Sequence, residues 1–564
     1  MAGKLKQDSA ATSSKTSGKP QALSSAAKRK AQKNQKETGK QRVNESASSH
    51  SEEHSATIIP TERLGFPIVG VGASAGGLEA LEELLNPMPA DTGMAFVVVT
   101  HQHPGHTSLL PELLRRSTAL KVVEATDGLK VEPNHVYVKS PGGNLAILNG
   151  TLHRMETGAE GAFKLPIDYF FRSLALDQKE KAICIILSGT GTDGTLGLKA
   201  LKGQSGMAMV EEPQAAKYSG MPASAIATGL ADYILPPAAM PQQLIAYAKS
   251  PYLSDGAPVS DGHALPTEPM QKIMVLLRTR TGNDFSAYKL STLRRRIERR
   301  MNVHQIKNSL QYVRYLHDNP HELDILFKEL LIGVTNFFRD PEAWDVLLKG
   351  PLLNLLQSKP DGYTFRAWVP GCSSGEEVFS LAIALQECRE KLKRHFEVQI
   401  FGTDLDADAI ETARAGQYSD GIAVDVLPTR LERYFVRHDG AYRVRTDIRE
   451  MAIFATQNVI KDPPFTKLDF VSCRNLLIYL NSDLQQRLLP IFHYALKPGG
   501  VLLLGPSETV GSFTDLFETL DKRWKIFRRK ETLTVVHSLP VIPAQLTSHE
   551  PSKRTRLIVT PAIK

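Results

Sequence analysis

Cysteine is scarce: 564 residues carry only Cys184, Cys372, Cys388 and Cys473. They are scattered and none has metal-ligand spacing, so neither a disulfide framework nor a cysteine-held metal is expected. Reduced thiols in a cytoplasmic protein are the expectation instead. No run of about 18 apolar residues occurs, which argues against a membrane-spanning helix. The N-terminus lacks the apolar core of a signal peptide. Residues 1–60 are almost free of aromatics and rich in Ser, Ala, Lys and Gln. Such a segment buries too little apolar surface to offset its ordering entropy, so a disordered tail is expected, either solubilising or an arm for an acidic partner. The net charge of +8 is concentrated there: residues 1–55 hold eleven Lys/Arg against five Asp/Glu. The remainder is nearly neutral, so no nucleic-acid surface is expected of the folded part.

Beyond the tail, the chain alternates strand and helix. Ile68–Val71 reads as a strand, Gly72–Gly77 as a tight turn of small residues and Leu78–Leu85 as an amphipathic helix. The turn Gly72-Ala73-Ser74-Ala75-Gly76 fits G-x-S-x-G, a strand-to-helix elbow that exposes a serine hydroxyl near a helix N-terminus. Gly70, Gly72 and Gly76 also space like a dinucleotide-binding loop. Taken alone, the stretch favours neither reading.

Further strands are expected at Ala95–Thr100, Val136–Val138, Leu145–Leu148, Ala182–Ser188 and Met207–Val210, with helices at Leu109–Arg116, Ile167–Leu176, Leu196–Lys202 and Met221–Thr228. Continuous apolar strands between helices indicate a parallel sheet covered on both faces, whose sites lie at the C-terminal strand ends. Three residues meet that condition: Ser74, His101 after Phe-Val-Val-Val-Thr, and Asp193 in Gly189-Thr190-Gly191-Thr192-Asp193-Gly194. A serine, a histidine and an aspartate on strand-end loops of one sheet are candidates for a hydrolytic triad. His103 and His106 are competitors for the histidine role. The oxidoreductase alternative requires an acid at the second strand end, where Thr100-His101 stands instead.

Gly-Ala-Ser-Ala-Gly-Gly, Val-Val-Val-Thr-His and Ser-Gly-Thr-Gly-Thr-Asp-Gly together resemble the catalytic domain of the chemotaxis receptor methylesterases, the CheB family, from about residue 66 to 248. The resemblance implies a triad of Ser74, His101 and Asp193. Because a primary amide presents the same carbonyl geometry as the ester, glutamine deamidation is expected as a side activity. Ala75 stands where the family usually has threonine, and Thr190 where many members have methionine beside the oxyanion site. The family's phosphorylatable receiver domain is not expected, because residues 1–60 cannot form one.

Residues 251–268 read as a Pro/Gly/Ser/Asp-rich linker. Helical periodicity then runs from Met270 to about Trp344, and Arg295, Arg296, Arg299 and Arg300 share one broad helix face. That face is either simply solvated or a docking surface for an acidic helix. A second α/β unit starts at Thr364. A strand, the loop Gly371–Glu376, a helix and a second strand ending in Asp404 form a nucleotide-binding arrangement in which the acid accepts from ribose hydroxyls. Asp469–Ser472, Val501–Leu504 and Lys525–Arg528 are further strands. A hairpin is expected around Asp439-Gly440.

Val334-Thr335-Asn336-Phe337-Phe338-Arg339-Asp340, Gly375-Glu376-Glu377, Thr403-Asp404 and Cys473-Arg474-Asn475-Leu-Leu-Ile-Tyr479 resemble the chemotaxis receptor methyltransferases, the CheR family, over about residues 270–530. The resemblance implies S-adenosylmethionine as cofactor, held by Thr335, Arg339, Glu376, Asp404, Asn458, Val459, Arg474 and Asn475, with Tyr479 near the reacting centre. Arg339, Arg474 and Tyr479 are the candidates for aligning the carboxylates of substrate and cofactor, with Arg474 and Tyr479 counted as catalytic. Gly333 departs from an asparagine that some members place against the cofactor. The resemblance favours the docking reading of the four arginines, toward acidic helices of methyl-accepting receptors. The antiparallel loop is shorter than in members that bind a receptor's C-terminal pentapeptide, so tethering is not expected.

The expected fold class is therefore α/β, with two doubly wound parallel-sheet domains. The second is a Rossmann-like class I methyltransferase preceded by a small all-helical subdomain. The expected organisation is a tail at 1–60, a methylesterase domain at 61–250, a linker at 251–268, a helical subdomain at 269–345, a methyltransferase domain at 346–530 with a β subdomain at about 416–452, and a tail at 531–564. The implied function is a bifunctional enzyme that adds and removes methyl groups on receptor glutamates. The alternative is a catalytically silent signalling scaffold that keeps both folds.

Overall fold

The computed structural model describes residues 64–102, 108–155, 165–250, 253, 267–331, 333–438 and 440–531. Both tails, nearly all of the expected linker, His103, His106 and Asp439 of the expected hairpin turn lie outside these residues.

The first half is built on a seven-stranded sheet. Its spatial order is Tyr233–Leu235, Met207–Glu211, Ala182–Ile186, Ile68–Ala73, Ala95–Thr100, His135–Lys139 and Lys121–Ala125. Every pairing is parallel. The central strands are buried along their whole length, as helices on both faces require. A small antiparallel sheet of Leu129–Lys130, Thr151–Met155 and Asn144–Leu148 lies apart from it. The strand expected at Leu145–Leu148 thus belongs to this second sheet. Lys121–Ala125 is absent from the expected strands, because an edge strand half exposed to solvent carries a mixed Lys-Val-Val-Glu-Ala pattern.

Gly70 and Gly72 have a packing role. A Cβ at Gly70 would meet the Phe171 ring at 2.8 Å, and one at Gly72 would collide with Ile167. The two glycines let the helix Pro166–Gln178 lie close against the strand, and Pro166 opens that helix in its first turn. This supplies the physical reason for a glycine spacing that also matches a dinucleotide loop.

Four helices, Thr267–Thr281, Leu290–Val303, Ser309–Asp318 and Pro320–Leu331, come next and share a core around Ile273, Leu293, Ile297, Tyr312 and Leu326. The second large sheet has the order Ala452–Thr456, Glu397–Asp404, Thr364–Pro370, Leu468–Cys473, Leu496–Leu504, Ile526–Arg529 and Phe517–Asp521. The first five strands run parallel and the last two pairings are antiparallel. The excursion between its halves is a three-stranded antiparallel sheet of Gln417–Ser419, Ala441–Val444 and Phe435–His438. Among the described residues, no helix is long and apolar enough to cross a membrane.

The two halves form one compact unit, and the arginine face expected to dock a receptor lies in the contact between them. Arg296, Arg299 and Arg300 are buried. Arg296 donates to the carbonyls of Lys202 and Gly203, and Arg299 to those of Ser205 and Gly206. Arg299 also pairs with Asp232 of the first half and grips both oxygens of Glu329 at 2.7 Å. Arg300 binds Glu322 at 2.6–2.8 Å and reaches Asp232. The docking expectation is therefore corrected for these three residues. Their i, i+4 spacing did put them on one side of a helix, but that side faces the helix C-terminus around Gly203 and a buried aspartate. Only Arg295 remains exposed.

Candidate active sites

Ser74 comes directly after the first strand, and its backbone N–H donates to Ser188 O at 2.9 Å, tying two strand ends together. Gly76 adopts a left-handed φ of 71° at the entry to the helix Gly77–Leu85. His101 sits at the next strand end. Its Nδ1 lies 3.1 Å from Ser74 Oγ and its Nε2 lies 3.1 Å from Asp193 Oδ2. Three residues from three strand-end loops thus form one hydrogen-bonded relay.

Asp193 is only 2% exposed. It accepts from the backbone N–H groups of Ile167 (3.1 Å), Asp168 (2.8 Å) and Gly194 (2.9 Å). The first two are orphan donors of a helix N-terminus, which favours the carboxylate there. Asp168 is also buried. Burial, and next the charge of Asp193, push its carboxyl well above the usual carboxylate range, to about 8, which favours the protonated form. One of its oxygens accepts from Gly197 N at 2.6 Å, and the other has no partner among the described residues. Near the serine, the backbone N–H groups of Ala75 and Thr190 have no acceptor among the described residues. Gly189 N–H is already committed to Tyr218 O.

The second site is a cavity at the C-terminal ends of the methyltransferase-type sheet. Thr335, Arg339, Asp404, Asn458, Val459, Arg474, Asn475 and Tyr479 all line it. Glu376 does not. It opens the helix Glu376–Leu392 and accepts from Ser374 Oγ at 2.7 Å, while Glu377 lines the cavity in its place. Neighbouring glutamates at a helix start point about 100° apart, a difference that a linear motif does not reveal. Glu377 accepts from Ser472 Oγ at 2.5 Å and Arg474 at 3.2 Å. Arg474 also donates to Arg339 O and, at 2.6 Å, to Asp340.

Asp404 accepts from the N–H groups of Ser373 (2.7 Å) and Asp406 (3.0 Å). Burial nevertheless pushes its carboxyl upward, and its free lone pairs suit the hydroxyls of a ribose. Sequence reasoning missed the wall that the helical subdomain supplies, namely Asn283, Asp284 and Tyr288. Asn283 accepts from Asn458 Nδ2 at 3.1 Å, and Tyr288 bridges to Leu480. These links span more than 170 residues of sequence, and no local pattern signals them. Among cavity residues, Arg474 Nε, Asn475 Oδ1 and Gln457 Oε1 are buried without a hydrogen-bond partner. An acid at the second strand end, a glycine turn at Gly371 and Gly375 (φ 71° and 91°) and unpaired polar atoms fit a nucleoside cofactor.

The folds define the class: two α/β domains on one chain, the second with a cavity at the C-terminal ends of its strands whose lining suits a nucleoside. Family models assign them further. The CheB methylesterase model matches residues 69–244, the all-alpha domain model of CheR methyltransferases matches 268–331, and the SAM-binding domain model of CheR methyltransferases matches 333–526. The chemotaxis protein methyltransferase of Klebsiella aerogenes is 30% identical over 262 residues, covering 44% of this chain and 84% of that protein. The chain belongs to the CheR methyltransferase family and carries a CheB methylesterase domain ahead of it. An uncharacterized 104.1 kDa protein of Rhodobacter capsulatus is 36% identical over 441 residues, which is 74% of this chain, but the chain spans only about half (46%) of that relative's length. The solved CheB methylesterase catalytic domain of Thermotoga maritima is 33% identical, covering 32% of this chain and 98% of that one, with a TM-score of 0.31.

Proposed function

We propose that this chain is a bifunctional enzyme acting on glutamates of chemoreceptor-type signalling proteins: the CheR part esterifies them and the CheB part hydrolyses the esters. The observation that carries the reading is the Ser74–His101–Asp193 relay, standing on the same chain as a nucleoside-shaped cavity lined by Asp404 and Arg474.

In the esterase, Ser74 Oγ attacks the carbonyl carbon of a γ-glutamyl methyl ester. His101 Nδ1 takes the hydroxyl proton and returns it to the leaving methanol, while Asp193 holds the proton of Nε2 and so the useful tautomer. The unpaired N–H groups of Ala75 and Thr190 receive the oxyanion, a contribution of about 3–4 kcal/mol per donor. Water then releases the acyl group with His101 as base. A glutamine side chain presents the same carbonyl geometry, so deamidation belongs to the same reading.

In the methyltransferase, S-adenosylmethionine supplies an electrophilic methyl group on a sulfonium. Asp404 would hold its ribose hydroxyls, and Asn458 and Val459 would line its nucleoside end. The acceptor carboxylate has a reference pKa of about 4.3 and is ionised at pH 7, so no strong base is needed. Arg339 and Tyr479 orient the acceptor, and Arg474, braced by Glu377 and Asp340, fixes the cavity wall. The work of this site is proximity and alignment.

Incubation with methyl-labelled S-adenosylmethionine and receptor-bearing membranes tests both halves. Base-labile methyl should accumulate on glutamates and be released as methanol. Ser74→Ala should abolish the release and raise the plateau. Undiminished methanol from Ser74→Ala would refute the esterase assignment, and no incorporation by either form would leave the scaffold reading in its place.

A further inference from the structure

The geometry points to a catalytic aspartate that is positioned by the other enzyme: the segment Asp420–Asp425 of the methyltransferase half clamps both pieces of backbone that hold Asp193 of the esterase half. This rests on the triad reading above.

Asp193 is fixed from two sides. One side is its own loop, Gly189–Gly194. The other is the N-terminus of the helix Pro166–Gln178, whose Ile167 and Asp168 N–H groups bind the carboxylate. Each side is tied to the same short segment of the second half. Thr192, the residue before Asp193, donates its hydroxyl to Asp420 Oδ1 at 2.7 Å. Arg172, one helical turn beyond Asp168, forms a bidentate pair with Asp425, both bonds at 2.9 Å. Between them, Gly421 lies so close to Leu196 that a Cβ there would meet its side chain at 2.7 Å. Leu196 belongs to the helix Thr195–Gly203 that begins right after the Asp193 loop.

The clamp is itself rooted. Ile422 and Val426 are buried in the methyltransferase core, and Asp425 also takes a 3.4 Å bond from Asn336, beside the cavity residue Thr335. A bidentate arginine pair fixes direction as well as distance. Arg172 is 27% and Asp425 9% exposed, so solvent competes little for either. General attachment of the halves does not depend on these residues, because Arg296 and Arg299 make separate buried contacts between them and Tyr233 a partly buried one. Losing the clamp therefore leaves the halves together and frees only the aspartate's supports.

A catalytic group displaced by about 1 Å costs on the order of 100-fold in rate. In the full-length protein, the paired change Asp420→Ala with Asp425→Ala, which removes the acceptors of both Thr192 and Arg172, should lower Ser74-dependent hydrolysis of p-nitrophenyl acetate by about 10- to 100-fold in kcat, with KM within about twofold. The melting temperature and the affinity for S-adenosylhomocysteine should stay near those of the parent. Arg172→Asp should lower kcat alike, and Arg172→Asp combined with Asp425→Arg should recover most of it. A kcat for the paired variant within about twofold of the parent overturns the proposal. So does a loss carried by KM, which would make the segment a substrate contact, and so does a failure of the charge exchange to restore kcat. If the parent shows no hydrolysis that Ser74→Ala removes, the triad reading falls and this inference falls with it. Ser74-dependent activity in the parent with unaffected variants removes this inference alone.

Discussion

Replacing Arg299 separates the two roles its helix face was open to. The guanidinium is fully buried and meets Ser205 O, Gly206 O, Asp232 and both oxygens of Glu329. Arg299→Met removes the charge but keeps much of the apolar stem. It leaves Asp232 with Lys202 (2.7 Å) and Arg300 (3.4 Å), and Glu329 with the same two cations only at 4.0 Å. Two backbone carbonyls also lose their donor. Removing one partner of a buried ion pair costs about 3–5 kcal/mol. Part of that is recovered by Lys202 and Arg300, so a loss of about 2–4 kcal/mol is expected. Urea denaturation followed by tryptophan fluorescence and by far-ultraviolet circular dichroism reads the shift in midpoint. The two probes should part company in the variant as the halves uncouple. A receptor-docking role makes the opposite forecast: unchanged stability, with a raised KM for receptor that depends steeply on salt. Stability within about 0.5 kcal/mol of the parent, together with that KM effect, would refute the interdomain lock.

Other consequences are equally open to measurement. Asp168 has a folded pKa of about 8 against an ordinary 3.8, so the folded state holds its proton more tightly. Stability linked to this group is full below about pH 4 and is lost as pH rises through about 8. Asp168→Asn should therefore melt higher than the parent at pH 8.5 and flatten its decline between pH 5 and pH 8.5. A parallel decline in both proteins would exclude a neutral Asp168. At Glu322, burial works to raise the carboxyl, but the hydrogen bonds from His304 and Arg300 outweigh it and hold the pKa at about 2 against 4.5. That contribution, on the order of 3 kcal/mol, is present above pH 4.5 and lost as pH falls toward 2. Glu322→Gln should lose most stability near neutrality and little near pH 2. For the cofactor, Asp404→Ala should weaken S-adenosylhomocysteine binding by about 10- to 100-fold in calorimetry, since a buried acceptor facing hydroxyls is lost. Unchanged affinity would move the ribose elsewhere.

Both α/β sheets were legible because their central strands are continuous apolar runs such as Ala-Phe-Val-Val-Val-Thr and Ala-Ile-Cys-Ile-Ile. Strand ends then brought Ser74, His101 and Asp193 to attention, and the structure sets them within hydrogen-bond distance. What escaped reading has a common origin in long-range contact. The arginine face looked exposed because helical spacing says which residues share a side and nothing about what covers it. Its partners lie about 93 residues back in the chain. The glycines of the first strand mimicked a phosphate loop because a close-packed helix and a pyrophosphate make the same demand for a missing Cβ. Lys121–Ala125 and Phe517–Asp521 are sheet-edge strands whose polar residues dilute the strand pattern.

The lock formed by Arg296, Arg299 and Arg300 also bears on stoichiometry. On the bifunctional reading proposed above, one polypeptide would deliver the forward and reverse catalysts in equal number, and the buried ion network would keep them paired. Copy number would then set how fast a methylation level is reached. The level itself would follow the ratio of the two turnover rates, so it would be adjusted by events at the active sites and not by expression.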